Sequence, residues 1–149
     1  MEVKDLIDKE LVVTHLNCQT KDDMFNELSD VLFKGDYISS KEDFIKDIYK
    51  READGQTGIG NFIAIPHSKS QFVNKVGVAI GINQSEIPWE SLDDNGAKVV
   101  ILFAVGNDTE GAKEHLKLLS LFARKLGNDE VVEKLIQSKT VEDVINSFA

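Results

Sequence analysis

His67 stands where a protein can use an imidazole. It follows the apolar run Ile63-Ala64-Ile65, is set off by Pro66, and lies behind a glycine-rich stretch containing Gly55, Gly58 and Gly60. An imidazole takes up or releases a proton, or a phosphoryl group, near neutral pH. Strand ends are where α/β proteins place such groups. The chain has three histidines and two arginines, so the possible partners are few. Arg51 comes just before the glycines, within reach of His67 by a short chain path. His115 follows the most apolar segment of the chain, in the run Gly111-Ala112-Lys113-Glu114-His115-Leu116. Taken alone, the pattern favours a capping or surface role for His115 and an ordinary helix salt bridge to Asp47 for Arg51. His15 and Arg124 read as surface residues without a role. Cys18, the only cysteine, reads as a small buried hydrophobe.

Glycine-rich loops often cradle phosphates on their backbone amides, but this one fits neither common nucleotide pattern. A Walker loop needs Gly-Lys-Ser/Thr where Gly60-Asn61-Phe62 stands, and a dinucleotide fingerprint begun at Gly58 needs glycine at Ile63. The loop also precedes a strand, whereas both motifs follow one. Two readings of the loop remain: its glycines only turn the chain, or their amides face an anion.

The elements that must position these residues are legible in the periodicity. Thr20 and Ser40 are N-cap candidates for two helices, the first with Met24, Phe25, Leu28, Val31 and Leu32 inward and Gly35 at its end, the second carrying Phe44, Ile45, Ile48 and Tyr49. Strands are expected at residues 11–14, 62–65, 76–82 and 99–105. The last is apolar throughout, as a strand covered on both faces would be. In residues 76–82 small residues alternate with large ones, implying close approach of another layer. Residues 87–96 read as a long connection anchored by Trp89. Three helices follow: one opened by His115 with Leu116, Leu119, Phe122, Ala123 and Leu126 inward, then one at residues 131–136, then one capped from Thr140 to Asp143. This order predicts an α/β fold, a single domain over residues 1–149 with a mixed β-sheet sandwiched between helices.

Composition narrows the function. With 17 Lys and Arg against 26 Asp and Glu, the net charge of −9 opposes binding to nucleic acid or anionic lipid. No apolar run approaches the roughly 20 residues of a membrane helix, and residues 1–5 do not resemble a secretion signal. A cytoplasmic, stand-alone chain without direct membrane insertion is the expectation. No metal-ligand motif is present, and no cofactor is implied.

Set in order, Arg51-Glu52, Gln56-Thr57-Gly58-Ile59-Gly60, Ile63-Ala64-Ile65-Pro66-His67, the Ile-Pro-Trp-Glu-Ser-Leu-Asp segment at residues 87–93, the apolar run 99–105 and Glu114-His115-Leu116 resemble one family. It is the enzyme IIA component of the fructose and mannitol (type 2) branch of the bacterial phosphotransferase system. The resemblance covers nearly the whole chain, and the Thr-Gly-Ile-Gly to Ile-Pro-His block is its most specific part. Ala53-Asp54 replace a more glutamate-rich run, and Asn61-Phe62 stand where smaller residues are common.

The resemblance implies that His67 accepts a phosphoryl group on Nε2 from the carrier HPr and passes it to a IIB component. The membrane IIC component is then reached only indirectly. It implies phosphoryl-stabilising roles for His115 and Arg51, and makes Thr57, Gly58 and Gly60 the candidate phosphoryl-binding loop. An acceptor face poor in carboxylates is expected, since repulsion would oppose the incoming group. Three alternatives stand beside this reading: a nitrogen-regulatory IIA paralogue with the same histidine, disfavoured by residues 89–93, a domain cut from a transcriptional regulator or a larger transporter polypeptide, and a metal-dependent hydrolase using His67 and His115.

Overall fold

The computed structural model describes residues 3–149. After two short 3-10 turns, Val3–Leu6 and Lys9–Leu11, the chain forms β1 (Val12–Leu16), α1 (Lys21–Lys34), α2 (Lys41–Glu52), β2 (Gly58–Gly60), β3 (Ile63–Ala64) and β4 (His67–Lys69). It continues through β5 (Gly77–Ile87), β6 (Ala97–Val105), α3 (Thr109–Leu126), α4 (Asp129–Ile136) and α5 (Val141–Ser147). The sheet runs β1-β5-β6-β3-β2, with β4 also paired to β6. It is mixed, as expected: β1 lies parallel to β5, and β3 and β4 parallel to β6, while β5–β6 and β2–β3 are antiparallel.

Strand β6 explains the two-sided architecture. Its Val99, Ile101, Phe103 and Val105 enter one core with Leu118, Phe122, Leu126, Val132, Leu135, Val144 and Phe148. Its Val100, Leu102 and Ala104 enter another with Met24, Phe25, Leu28, Leu32, Phe44 and Ile48. Successive strand side chains point to opposite faces, so burial on both faces requires an apolar residue at every step. The small residues of β5 meet the α1 side: a Cβ on Gly81 would stand 2.7 Å from Met24 Sδ. Helix caps also follow the sequence, with Thr20, Ser40 and Thr140 each accepting from the backbone N–H three residues on.

Several boundaries differ from the sequence reading, among them the start of β6, which comes two residues early at Ala97. Strand β1 is shifted to Val12–Leu16, and β5 runs on to Ile87, which pairs with Ala97 across an irregular register, so the connection shortens to residues 88–96. The run expected at residues 62–65 is interrupted: after Ile63–Ala64 the strand assignment lapses over Ile65 and Pro66 and resumes as β4 in the same register against β6. Proline has no N–H to give the ladder, but its carbonyl still accepts from Phe103 N at 3.0 Å, so the strand direction survives. The glycine loop is itself a short strand, β2.

Helix α3 also departs. It starts at Thr109 with Asp108 as N-cap, so His115 lies in its second turn and does not open it. The buried stripe is Gly111, His115, Leu118, Phe122 and Leu126, while Leu116 is 66% exposed and Ala123 faces solvent. A histidine in the buried stripe rotates the whole face relative to one drawn from leucines alone.

Candidate functional site

Three elements converge on His67. Strand β4 begins with it, beside Phe103 of β6 in parallel register. The last turn of α2 brings Arg51, whose Nε–H donates to His67 Nε2 at 2.9 Å and whose Nη1 donates to the Gly55 carbonyl at 3.0 Å. Helix α3 brings His115, its ring 4.3 Å from the His67 ring between centroids and tilted 35° to it. The Asp47 salt bridge expected for Arg51 does not form. Asp47 instead accepts from Ser70 Oγ at 2.6 Å and lies 3.6 Å from Lys50, leaving the guanidinium for the imidazole.

This geometry assigns the tautomer. Arginine can only donate, so His67 Nε2 must present its lone pair. The ring proton is then on Nδ1, which sits 3.4 Å from the Ile65 carbonyl in a weak contact. Burial, reinforced by the neighbouring His115, Arg51 and Lys69, pushes the His67 pKa down from 6.5 to about 4. Only the Ile65 carbonyl opposes this. The His115 pKa is also lowered, by burial first and then by the charges of Lys69 and Arg51. His115 is 6% exposed, so the surface role favoured by its sequence context is not what the fold gives it. Its edge meets Phe103, and its buried Nδ1 has no hydrogen-bond partner among the described residues.

Lys69 is the site residue that the sequence reading missed. Its position carried a signal: residues two apart on a strand share a face, and the pattern at 67–69 is half-buried, buried, exposed. A cleft of about 410 Å³ beside His67 is lined by Asp47, Lys50, Arg51, Asp54 and Lys69. It is therefore mixed in charge rather than poor in carboxylates, with three cations against two acids.

The glycine segment is engaged elsewhere. Gly58 N donates to the Glu90 carbonyl at 3.2 Å, and a Cβ there would come within 2.5 Å of Ser91 Cβ. Thr57, 3% exposed, donates its hydroxyl to Glu52 Oε1 at 2.6 Å and accepts from Trp89 Nε1 at 3.1 Å. Gly60 adopts a left-handed backbone at φ +91° on the way into the β2–β3 turn. Gly58 thus spends its N–H on the Glu90 carbonyl and Thr57 accepts the indole N–H of Trp89, so both hold residues 88–91, with Trp89 as the anchor. The hydrolase alternative lacks a donor set. Among the described residues, no group of three or more His, Cys, Asp and Glu could hold a metal ion, and the two histidines share their surroundings with Arg51 and Lys69.

Residues 5–149 match the family model for the EIIA 2 component of the phosphoenolpyruvate-dependent sugar phosphotransferase system. The chain belongs to this EIIA 2 family. It is 29% identical over 147 residues to the fructose-specific EIIABC component of Bacillus subtilis (strain 168), which covers 98% of this chain but only 23% of that relative. The EIIA 2 chain thus spans under a quarter of that relative's length. It is 30% identical to the nitrogen regulatory protein of Klebsiella oxytoca, over 97% of this chain and 88% of the relative. Its fold is that of the nitrogen regulatory protein IIA-Ntr from Neisseria meningitidis, with a TM-score of 0.87, 22% identity and 99% of both chains covered. No helix of the described residues of this EIIA 2 protein is long and apolar enough to cross a membrane.

Proposed function

We propose that this EIIA 2 chain is a phosphocarrier that takes a phosphoryl group from phospho-HPr onto His67 Nε2 and passes it to a IIB component for sugar or sugar-alcohol uptake. The observation that carries the reading is the His67 ring, its Nε2 lone pair turned to Arg51 and the tilted His115 ring 4.3 Å away. In the transfer, the phosphorus–nitrogen bond to the donor histidine breaks as the bond to His67 Nε2 forms. No proton has to move, because the ring proton already sits on Nδ1. Arg51 must give up Nε2 to let the phosphorus approach, and its guanidinium then meets the phosphoryl oxygens. Phosphoryl transfer needs an in-line nucleophile and positive charge around the equatorial oxygens, and little else from the protein. Arg51 and Lys69 supply the charge, and the unpartnered Nδ1 of His115 supplies a further polar group. Thr57, Gly58 and Gly60 serve as the frame behind the site. The chain would work in the cytoplasm and meet the membrane IIC only through IIB.

Incubation with phosphoenolpyruvate, enzyme I and HPr tests this. The expected result is an acid-labile phosphoryl group on His67, absent from His67→Ala. Stable labelling of that variant overturns the assignment. A second reading, a nitrogen-regulatory output from the same phosphohistidine, draws on the 30% identity to the Klebsiella oxytoca protein. Rapid loss of label to a IIB domain on addition of sugar supports transport. Label that persists in the presence of IIB and sugar supports regulation.

A further inference from the structure

Glu52 follows Arg51 at the end of α2, and its carboxylate is 7% exposed. Both of its oxygens are engaged: Oε1 accepts from the Thr57 hydroxyl at 2.6 Å, and Oε2 from Lys21 Nζ at 2.8 Å. From those two partners the contacts reach each neighbouring segment. Lys21, at the start of α1, also meets Glu90 at 2.6 Å and stands 5.0 Å over the Trp89 ring. Thr57 accepts from Trp89 Nε1, and its carbonyl accepts from Ile65 N at 3.0 Å. Ile65 in turn holds its own carbonyl toward His67 Nδ1.

One buried carboxylate therefore has two routes to the imidazole. Through the chain it places Arg51, which faces Nε2. Through Thr57 and Ile65 it places the carbonyl that faces Nδ1. A buried ion pair adds little net stability over an apolar replacement of the same shape, so stability alone does not account for a charge at this spot. We propose that Glu52 is a positioning residue for phosphoryl transfer, setting Arg51 and the Ile65 carbonyl on opposite edges of His67. The proposal rests on His67 being the phosphoryl acceptor.

The variant Glu52→Gln keeps the side chain's shape but turns one engaged oxygen into an amide. Thr57→Val removes the hydroxyl without touching any charge and serves where Glu52→Gln does not fold. Each is measured for the rate of phosphorylation by phospho-HPr against donor concentration, for thermal unfolding, and for the His67 tautomer by imidazole ¹⁵N shifts. The expected result is a maximal rate roughly tenfold lower, half-saturation by donor unchanged, and loss of the pure Nδ1–H tautomer in the folded protein. A wild-type maximal rate and tautomer in the folded variants overturns the role of Glu52. So does a rate that falls only in proportion to the fraction unfolded. Failure of the wild-type protein to label on His67 would instead remove the underlying reading, so the two failures are distinguishable.

Discussion

Arg51 sits on the same lone pair that His67 would use as a nucleophile, so under the proposed function the resting site is held closed by the group that would later stabilise its product. Arg51→Ala should therefore leave Nε2 free yet slow transfer, with the melting temperature little changed. A variant that only melts earlier and transfers at the normal rate would make Arg51 a structural residue. The depressed His67 pKa, about 4 against an ordinary 6.5, has two consequences with definite sign. The imidazole is neutral across the neutral range, so phosphorylation should be flat in pH until the medium falls toward about 4. Lys69→Gln, which removes one of the charges pressing on His67, should move that acid limb to higher pH. For stability, the unfolded chain takes up the proton near 6.5 and the folded one does not until about 4. The unfolded state therefore binds more protons between these values, and stability rises with pH across that window. Urea titrations at both ends of the window should show His67→Ala gaining less than the wild type. The closeness of Arg51 to His67 could be suspected from their spacing, but the tautomer could not, because it depends on a side chain sixteen positions away.

At the scale of elements, α3 shows how a buried polar residue misleads a reading by periodicity. Counting leucines places Leu116 inward, whereas admitting His115 to the stripe places Leu118 there. Leu118→Ala should cost about 2–5 kcal/mol in denaturant unfolding. Leu116→Ser should stay within about 0.5 kcal/mol. Equal losses would mean that the helix face has been assigned wrongly. Strand β2 has a different dependence. Gly58 is needed because residues 90 and 91 lie where a side chain would go. Gly58→Ala should push that segment away, at about 1–3 kcal/mol, and red-shift the fluorescence of Trp89 as it meets water. The caps and the fully apolar β6 were legible because each depends on local chemistry. The β2–β3 turn was not, because Asn61 and Phe62, neither of them a glycine, make it with positive φ, and the second half of β5 was not, because its Gln84, Ser85 and Glu86 are polar and exposed.

For the whole molecule, one sheet divides two cores, and β6 contributes alternate residues to both. Unfolding one layer would strip one face of the central strand, so the layers should unfold together. Far-UV circular dichroism reports mainly the helices of both layers, and Trp89 fluorescence reports the α1 and α2 side. Their denaturation curves should coincide, and separate midpoints would show that the layers unfold independently. What the sequence by itself determined was the mixed α/β architecture, the caps, the two-sided strand and the candidate His67, because periodicity and residue chemistry act over a few neighbours. The tertiary structure alone decided that His115 lies buried against His67, that Arg51 faces Nε2 rather than Asp47, that Lys69 adds charge, and that Thr57 and Gly58 hold the Trp89 segment. Each of these is a meeting of residues on different elements, set by how helices settle on a twisted sheet, and no local pattern encodes it.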